Sequence, residues 1–207
     1  MSQTDLSREL YQSLWNAADI LRGQMEANEY KSYLLGLIFY KYLSDNILQA
    51  VCDNLDETFE SFQQAQLLYE ENFADADVRE DLIEVLNDDL GYVIDPSLTF
   101  TKLVQSIHEG TFQLESLAQS FRDIEQANEK FENLFEDIDL YAKKLGNTPQ
   151  KQNKTISEVM KQLNDLNVSG HAGDILGDAY EYLIGQFASD SGKKAGEFYT
   201  PQAVSHL

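Results

Sequence analysis

Apolar residues recur along this chain at helical spacing almost from the start. Leu6, Leu10, Leu14, Ala17, Ala18 and Leu21 fall on one face, and Gly23 supplies a stop. Asn28 is placed to cap a second helix over about 29–51. That helix is apolar on most sides (Tyr33, Leu34, Leu37, Ile38, Phe39), as a central buried helix should be. Two amphipathic helices are predicted near 58–73 and 78–90, followed by a connection from Gly91 to Thr101 that contains Pro96. From Leu114 the apolar positions run 114, 117, 121 and 124, then 131, 135 and 138. The run is too short and too broken at Asn128 for a supercoil, so it predicts two helices split near 127–130.

Gly146 to Pro149 combines a helix stop with a helix start. Gly146 sits past one helix end, Thr148 can cap the next, and Pro149 suits its first position. That helix should reach about Leu166, and a loop over 167–173 leads to a last amphipathic helix carrying Ala172, Ile175, Leu176, Ala179, Leu183 and Phe187. Gly173 and Gly177, one turn apart, suggest that another helix approaches there. No strand-rich segment, repeat or low-complexity tract appears. The fold class is all-α, a multi-helix bundle.

Composition agrees, with 43% hydrophobic residues, 11% aromatics and only 3 prolines in 207 residues. Charge changes the picture more. The net charge is -21, which repels nucleic acid at long range, but it is unevenly spread. Residues 53–97 hold 14 acids against Arg79 alone, or 1 - 14 = -13, whereas residues 142–195 hold 7 lysines against 6 acids, or +1. The acidic run is most simply a solvated helical face. Any contact with DNA is expected on the C-terminal side, through Lys143, Lys144, Lys151, Lys154, Lys193 and Lys194, with the acids turned away or toward protein.

The single cysteine, Cys52, excludes an internal disulfide and reads as a packed thiol. The most apolar run, Tyr33 to Leu43, is too short to span a bilayer and contains Lys41, and no signal peptide opens the chain. A cytoplasmic protein without a membrane partner is expected. His108, His171 and His206 are far apart; only His171 has a ligand-type neighbour at helical spacing, Asp174, so no metal site is expected. No phosphate-binding glycine motif and no basic recognition helix is present. The acidic residues offer no pair singled out by spacing, so no catalytic residue is assigned.

The tail, GKKAGEFYTPQAVSHL from Gly192 to Leu207, is the most distinctive stretch. Thr200 can cap a helix that begins at Pro201, and the free N–H groups of such a start attract an anion beside the apolar wall of Phe198 and Tyr199. On chemistry alone an ordinary helix start after two core aromatics is the better reading.

Glu197 to Pro201, followed by an apolar helix start, resembles the signature of modification (DNA methyltransferase, HsdM-type) subunits of type I restriction–modification systems. Leu14 to Asp45 is similar to the family's N-terminal helical region, as are Phe131 to Leu140, the following Lys144 to Thr148, and Asp174 to Ala188. The acidic stretch from Asp53 to about Glu115 is the least similar. The resemblance implies a parent enzyme that moves a methyl group from S-adenosyl-L-methionine to the exocyclic N6 of adenine in DNA. It implies that Glu197, Phe198, Tyr199, Thr200, Pro201 and Gln202 line the cofactor pocket. It also implies partners: the specificity subunit, a second modification subunit, the restriction subunit, and double-stranded DNA in the assembled complex.

The family's glycine-rich loop and its N-P-P-[FY] motif do not occur in these residues. The chain is therefore expected to be the N-terminal portion of a longer subunit: a helical domain over 1–168, then a linking helix and the start of a Rossmann-like methyltransferase domain over 169–207. Alone it should bind S-adenosyl-L-methionine weakly or not at all and transfer no methyl group, because the pocket that would receive a flipped adenine is absent. Its expected role is interaction and DNA clamping. The alternative, a stand-alone acidic helical binding protein such as a DNA mimic, is motivated by the -13 stretch and leaves the tail motif without a purpose.

Overall fold

The computed structural model describes residues 3–166, 177, 181–183 and 185. Among these residues are seven α-helices and no strand, as the pattern predicts: α1 (Gln3–Arg22), α2 (Ala27–Asn54), α3 (Phe62–Ala74), α4 (Ala76–Leu90), α5 (Phe100–Glu109), α6 (Leu114–Ala127) and α7 (Pro149–Leu163). Single 3-10 turns occupy Pro96–Leu98, Glu129–Phe131 and Lys143–Leu145. The helices form two compact units. One is built from described residues of Met1–Phe39 and Leu134–Leu207, the other from Tyr40–Asn133, so α2 contributes its first half to one and its second half to the other.

In the first unit α1 packs along α7. The face predicted from the leucine and alanine spacing is the buried one: Leu14, Ala17, Ala18 and Leu21 are fully enclosed, as are Ile156, Val159, Met160 and Leu163 of α7. Each large apolar side chain sealed in this way contributes about 1.5–3 kcal/mol relative to exposure. The α2 start differs from expectation. Glu29 reaches back to accept the Glu26 N–H at 3.0 Å, so the helix begins at Ala27 and Asn28 lies inside it.

In the second unit, polar side chains set the helix ends that hydrophobic spacing located only roughly. Ser61 caps α3 through the Gln64 N–H (3.2 Å), and Asp75 ends α3 and caps α4 through the Asp77 N–H (3.0 Å). Gly91 closes α4 in the left-handed region at φ 79°. The predicted connection holds the turn at Pro96–Leu98, and α5 follows it where the apolar pattern predicted no helix. Thr99 caps α5, and the buried Ser44 hydroxyl of α2 accepts the Phe100 N–H at 2.7 Å. Two buried tyrosines satisfy further carbonyls: Tyr69 donates to Ile94 (2.8 Å) and Tyr92 to Leu43 (2.9 Å).

The helix predicted over 131, 135 and 138 does not form. Beyond α6 the chain makes a 3-10 turn and a series of turns, because local side chains and tertiary contacts outcompete the helical ladder. Asn128 accepts the Lys130 N–H at 3.0 Å, Asn133 sits at φ 60°, and Asp139 accepts the Tyr141 N–H at 2.9 Å. Tyr33 of α2 takes the Asp139 carbonyl at 2.6 Å, and the Ile138 side chain fills the space beside Gly36 that a Cβ would need. Phe135 is buried and Ile138 half-buried, both delivered by turns rather than by a helix.

Candidate functional site

Glu197, Phe198, Tyr199, Thr200, Pro201 and Gln202 lie outside the described residues, as do Lys193, Lys194, His171, His206 and Gly173. Of the predicted contact lysines, Lys143, Lys144, Lys151 and Lys154 are described, and the structure brings them onto neighbouring turns. Lys143 and Lys144 occupy the 3-10 turn before α7, and Lys151 and Lys154 its first two turns.

A buried glutamine holds this arrangement. Gln152, 7% exposed, directs its amide Nε2 at the carbonyls of Tyr141 (3.0 Å), Ala142 (3.4 Å) and Gly146 (3.0 Å). Thr155 donates to the Leu145 carbonyl at 2.7 Å. The turn is thereby fastened to the helix whose start carries the other two lysines. Gly146 is required at the junction, since a Cβ there would overlap the Lys151 Cβ and come within 2.9 Å of the Gln152 backbone nitrogen. Thr148 caps α7 as predicted, accepting the Lys151 N–H at 3.3 Å, with Pro149 in the first turn.

The four lysines are not equivalent. Lys144 is paired with Glu29 of α2, and that hydrogen bond, helped by the Glu26 N–H, holds the Glu29 carboxyl below the usual range. Lys143, Lys151 and Lys154 are exposed and have no acidic partner among the described residues. Lys151 and Lys154 stand near the N-terminus of α7, where the helix dipole already favours anions, so their charges add to a positive potential rather than offset a negative one. Such placement weakens the helix slightly and attracts anionic partners. The sequence showed the lysines; it carried no sign that Gln152 would gather them.

Other candidates resolve plainly. Cys52 is fully enclosed, and burial, with Asp53 and Glu57 nearby, pushes its thiol up, in keeping with a packed thiol. Among the described residues no cluster of three metal-ligating side chains occurs, and no helix is long and apolar enough to cross a membrane. Between residues 53 and 97 every acid except Glu70 is exposed, and Glu70 bridges Lys102 at 2.8 Å, so the acidic stretch is a solvated surface. Gly177 is exposed, with no described atom within 4 Å of a Cβ built on it, and its expected companion Gly173 lies outside the described residues.

Residues 10–163 match the family described as the HsdM N-terminal domain, and residues 171–207 match N-6 DNA Methylase. The chain is 30% identical to the type I restriction enzyme MpnII methylase subunit of Mycoplasma pneumoniae, over 99% of this chain and 39% of that protein. It is 27% identical to the MjaIX methylase subunit of Methanocaldococcus jannaschii, over 98% of this chain and 35% of the relative. The crystal structure of a type I restriction–modification methyltransferase subunit from Streptococcus thermophilus superposes with a TM-score of 0.85 at 62% identity, covering 96% of this chain and 42% of that one. The chain thus spans well under half the length of the proteins it matches.

Proposed function

The chain belongs to the HsdM N-terminal domain family, and on that premise we propose that it is the helical interaction and DNA-clamping part of a type I restriction–modification DNA adenine-N6 methyltransferase subunit. The parent enzyme transfers a methyl group from S-adenosyl-L-methionine to adenine in double-stranded DNA, in the cytoplasm. It does so assembled with a specificity subunit, a second modification subunit and the restriction subunit. The helical domain covers 1–168, and residues 169–207 begin the cofactor-binding part, in which Glu197, Phe198, Tyr199, Thr200, Pro201 and Gln202 border the S-adenosyl-L-methionine pocket.

The observation that carries this reading is the agreement of sequence and fold with a methyltransferase subunit at 62% identity and a TM-score of 0.85. The physical features fit it. Lys143, Lys151 and Lys154 form a fixed positive surface of the kind that neutralises phosphates without reading bases. The exposed acids of α3 and α4 keep nonspecific DNA off the remaining surface. Residues 1–207 contain neither a glycine-rich cofactor loop nor N-P-P-[FY], so methyl transfer is assigned to the parent enzyme.

The test is reconstitution. Residues 1–207 should co-elute with the specificity subunit and leave DNA unmethylated when given labelled S-adenosyl-L-methionine. The assembled methyltransferase should label N6 of adenine. Methylation by residues 1–207 alone, or an assembled enzyme that labels cytosine, would refute the assignment.

A further inference from the structure

Tyr11 of α1 and Tyr182 stack face to face, with ring centroids 4.5 Å apart and an interplanar angle of 14°. Both belong to the first unit, but they come from different stretches of sequence. Tyr11 falls within the residues that match the HsdM N-terminal domain, and Tyr182 within those that match N-6 DNA Methylase.

The helical turn around Tyr182 has a defined orientation. At 100° per residue, Gly177, Glu181 and Gly185 share one face, and all three are exposed. Leu183 points to the opposite side and is fully enclosed, while Tyr182 lies on the flank and is partly covered. On α1, Tyr11, Trp15 and Arg22 form a strip beside the buried leucines, at successive positions of one helical face. The Arg22 guanidinium lies 4.3 Å from the centroid of the Trp15 ring and bonds Asp19 at 2.9 Å. Burial raises the Tyr182 hydroxyl pKa, and the Arg22 charge acts against that rise, which places Arg22 near the stacked ring as well. The strip therefore offers an aromatic and cationic seat, in which Arg22 is held by Trp15 and Asp19.

We propose that Tyr11 is a positioning residue for the methyltransferase: its stack with Tyr182 holds the turn Glu181–Leu183 in register on α1, and so fixes where the chain leaves the helical domain toward the cofactor segment. This rests on the functional reading above. The ring supplies the contact and the Tyr11 hydroxyl is dispensable.

Two measurements test it. In the 207-residue chain, Tyr11→Ala and Tyr182→Ala should each raise hydrogen exchange over 181–185 by roughly threefold to tenfold, the size of one aromatic contact. The double variant should go no further than either single one, Tyr11→Phe should behave as the unaltered chain, and α5 and α6 should be unaffected. In the assembled methyltransferase, Tyr11→Ala should raise KM for S-adenosyl-L-methionine by a similar factor with kcat retained, and Tyr11→Phe should restore it. Unchanged exchange over 181–185 refutes the stack as a constraint. Raised exchange with unchanged KM refutes the positioning role. An unaltered assembly that never methylates DNA removes the functional reading and the positioning role with it, while the exchange data still decide whether the stack constrains the turn.

Discussion

The Lys41 ammonium lies 2.7 Å from Oδ2 of Asp45, one turn along α2, and both side chains are sealed from solvent at 2% and 0% exposure. The rings of Phe62 and Phe100 face the ammonium at 4.9 and 5.1 Å. Asp45 Oδ1 has no hydrogen-bond partner among the described residues. Burial pushes the Asp45 carboxyl up from 3.8 to about 6, with Lys41 opposing. A carboxyl raised in the folded state favours folding most below its unfolded value, and that contribution fades as pH rises through the folded value. Between about pH 4 and 6 this group should therefore lower unfolding stability by at most about 1.4 kcal/mol per pH unit. Urea unfolding of Asp45→Asn across that range should lack this component. If both chains share the same slope, the carboxyl is not raised.

Breaking the same pair from one side should cost far more than replacing it. Lys41→Met leaves a buried carboxylate without its partner and should destabilise by roughly 3–5 kcal/mol at pH 7. The double change Lys41→Met with Asp45→Leu should recover most of that loss. A double variant as unstable as the single one would show that the pair's charges are not what matters.

The lysine surface depends on Gln152 and Gly146. Gln152→Ala removes the side-chain donor to the Tyr141 and Gly146 carbonyls, while Ala142 keeps the Leu145 N–H, and should cost roughly 1–3 kcal/mol in denaturant unfolding. Gly146→Ala forces a side chain against the α7 backbone and should cost about as much, 1–3 kcal/mol. Variants as stable as the parent chain would mean that the turn is held by other contacts.

Lys143→Glu, Lys151→Glu and Lys154→Glu should each weaken DNA binding by the assembled enzyme, to a similar degree on specific and random duplexes. Each should reduce the slope of log K against log salt by about 1. Lys144→Glu should act differently, because it also places two carboxylates together at Glu29 and so disturbs the start of α2. Affinity unchanged at low salt in all three variants would remove DNA from this surface.

Ser44→Ala should destabilise by about 1–3 kcal/mol, since it leaves the buried Phe100 N–H without an acceptor. Amide exchange at Phe100 should rise by more than that of its neighbours in α5. Equal protection would show that another acceptor serves that N–H.

Helix content was legible at most places where one face had to be buried, α5 with its buried Phe100, Leu103 and Val104 being the exception. The spacing of Leu14, Ala17, Ala18 and Leu21 located α1 because those positions have no other use. The turns at 128–142 were not legible, because the choice between helix and turn there rests on distant groups. The Tyr33 hydroxyl takes the Asp139 carbonyl, and the Ile138 side chain occupies the space left by Gly36; neither partner is visible within a local window. The capping glutamate of α2 was visible three residues beyond Glu26, but Asn28 is the commoner cap and drew the boundary inward. For the candidate surface the lysines could be read and their assembly could not, since a buried Gln152 has no pattern of its own. The acidic stretch yielded its helices and its solvent exposure together, because its carboxylates leave only a narrow apolar face to bury.

The discontinuity of the first unit has a consequence for synthesis. The ribosome delivers α1 first and α7 last among the described helices, while Tyr40–Asn133 emerges as one uninterrupted stretch. That stretch holds its own core and can condense as soon as it clears the exit tunnel. The apolar face of α1 has no α7 to meet until the chain has grown past Leu163, so it stays uncovered while the whole of the second unit is made.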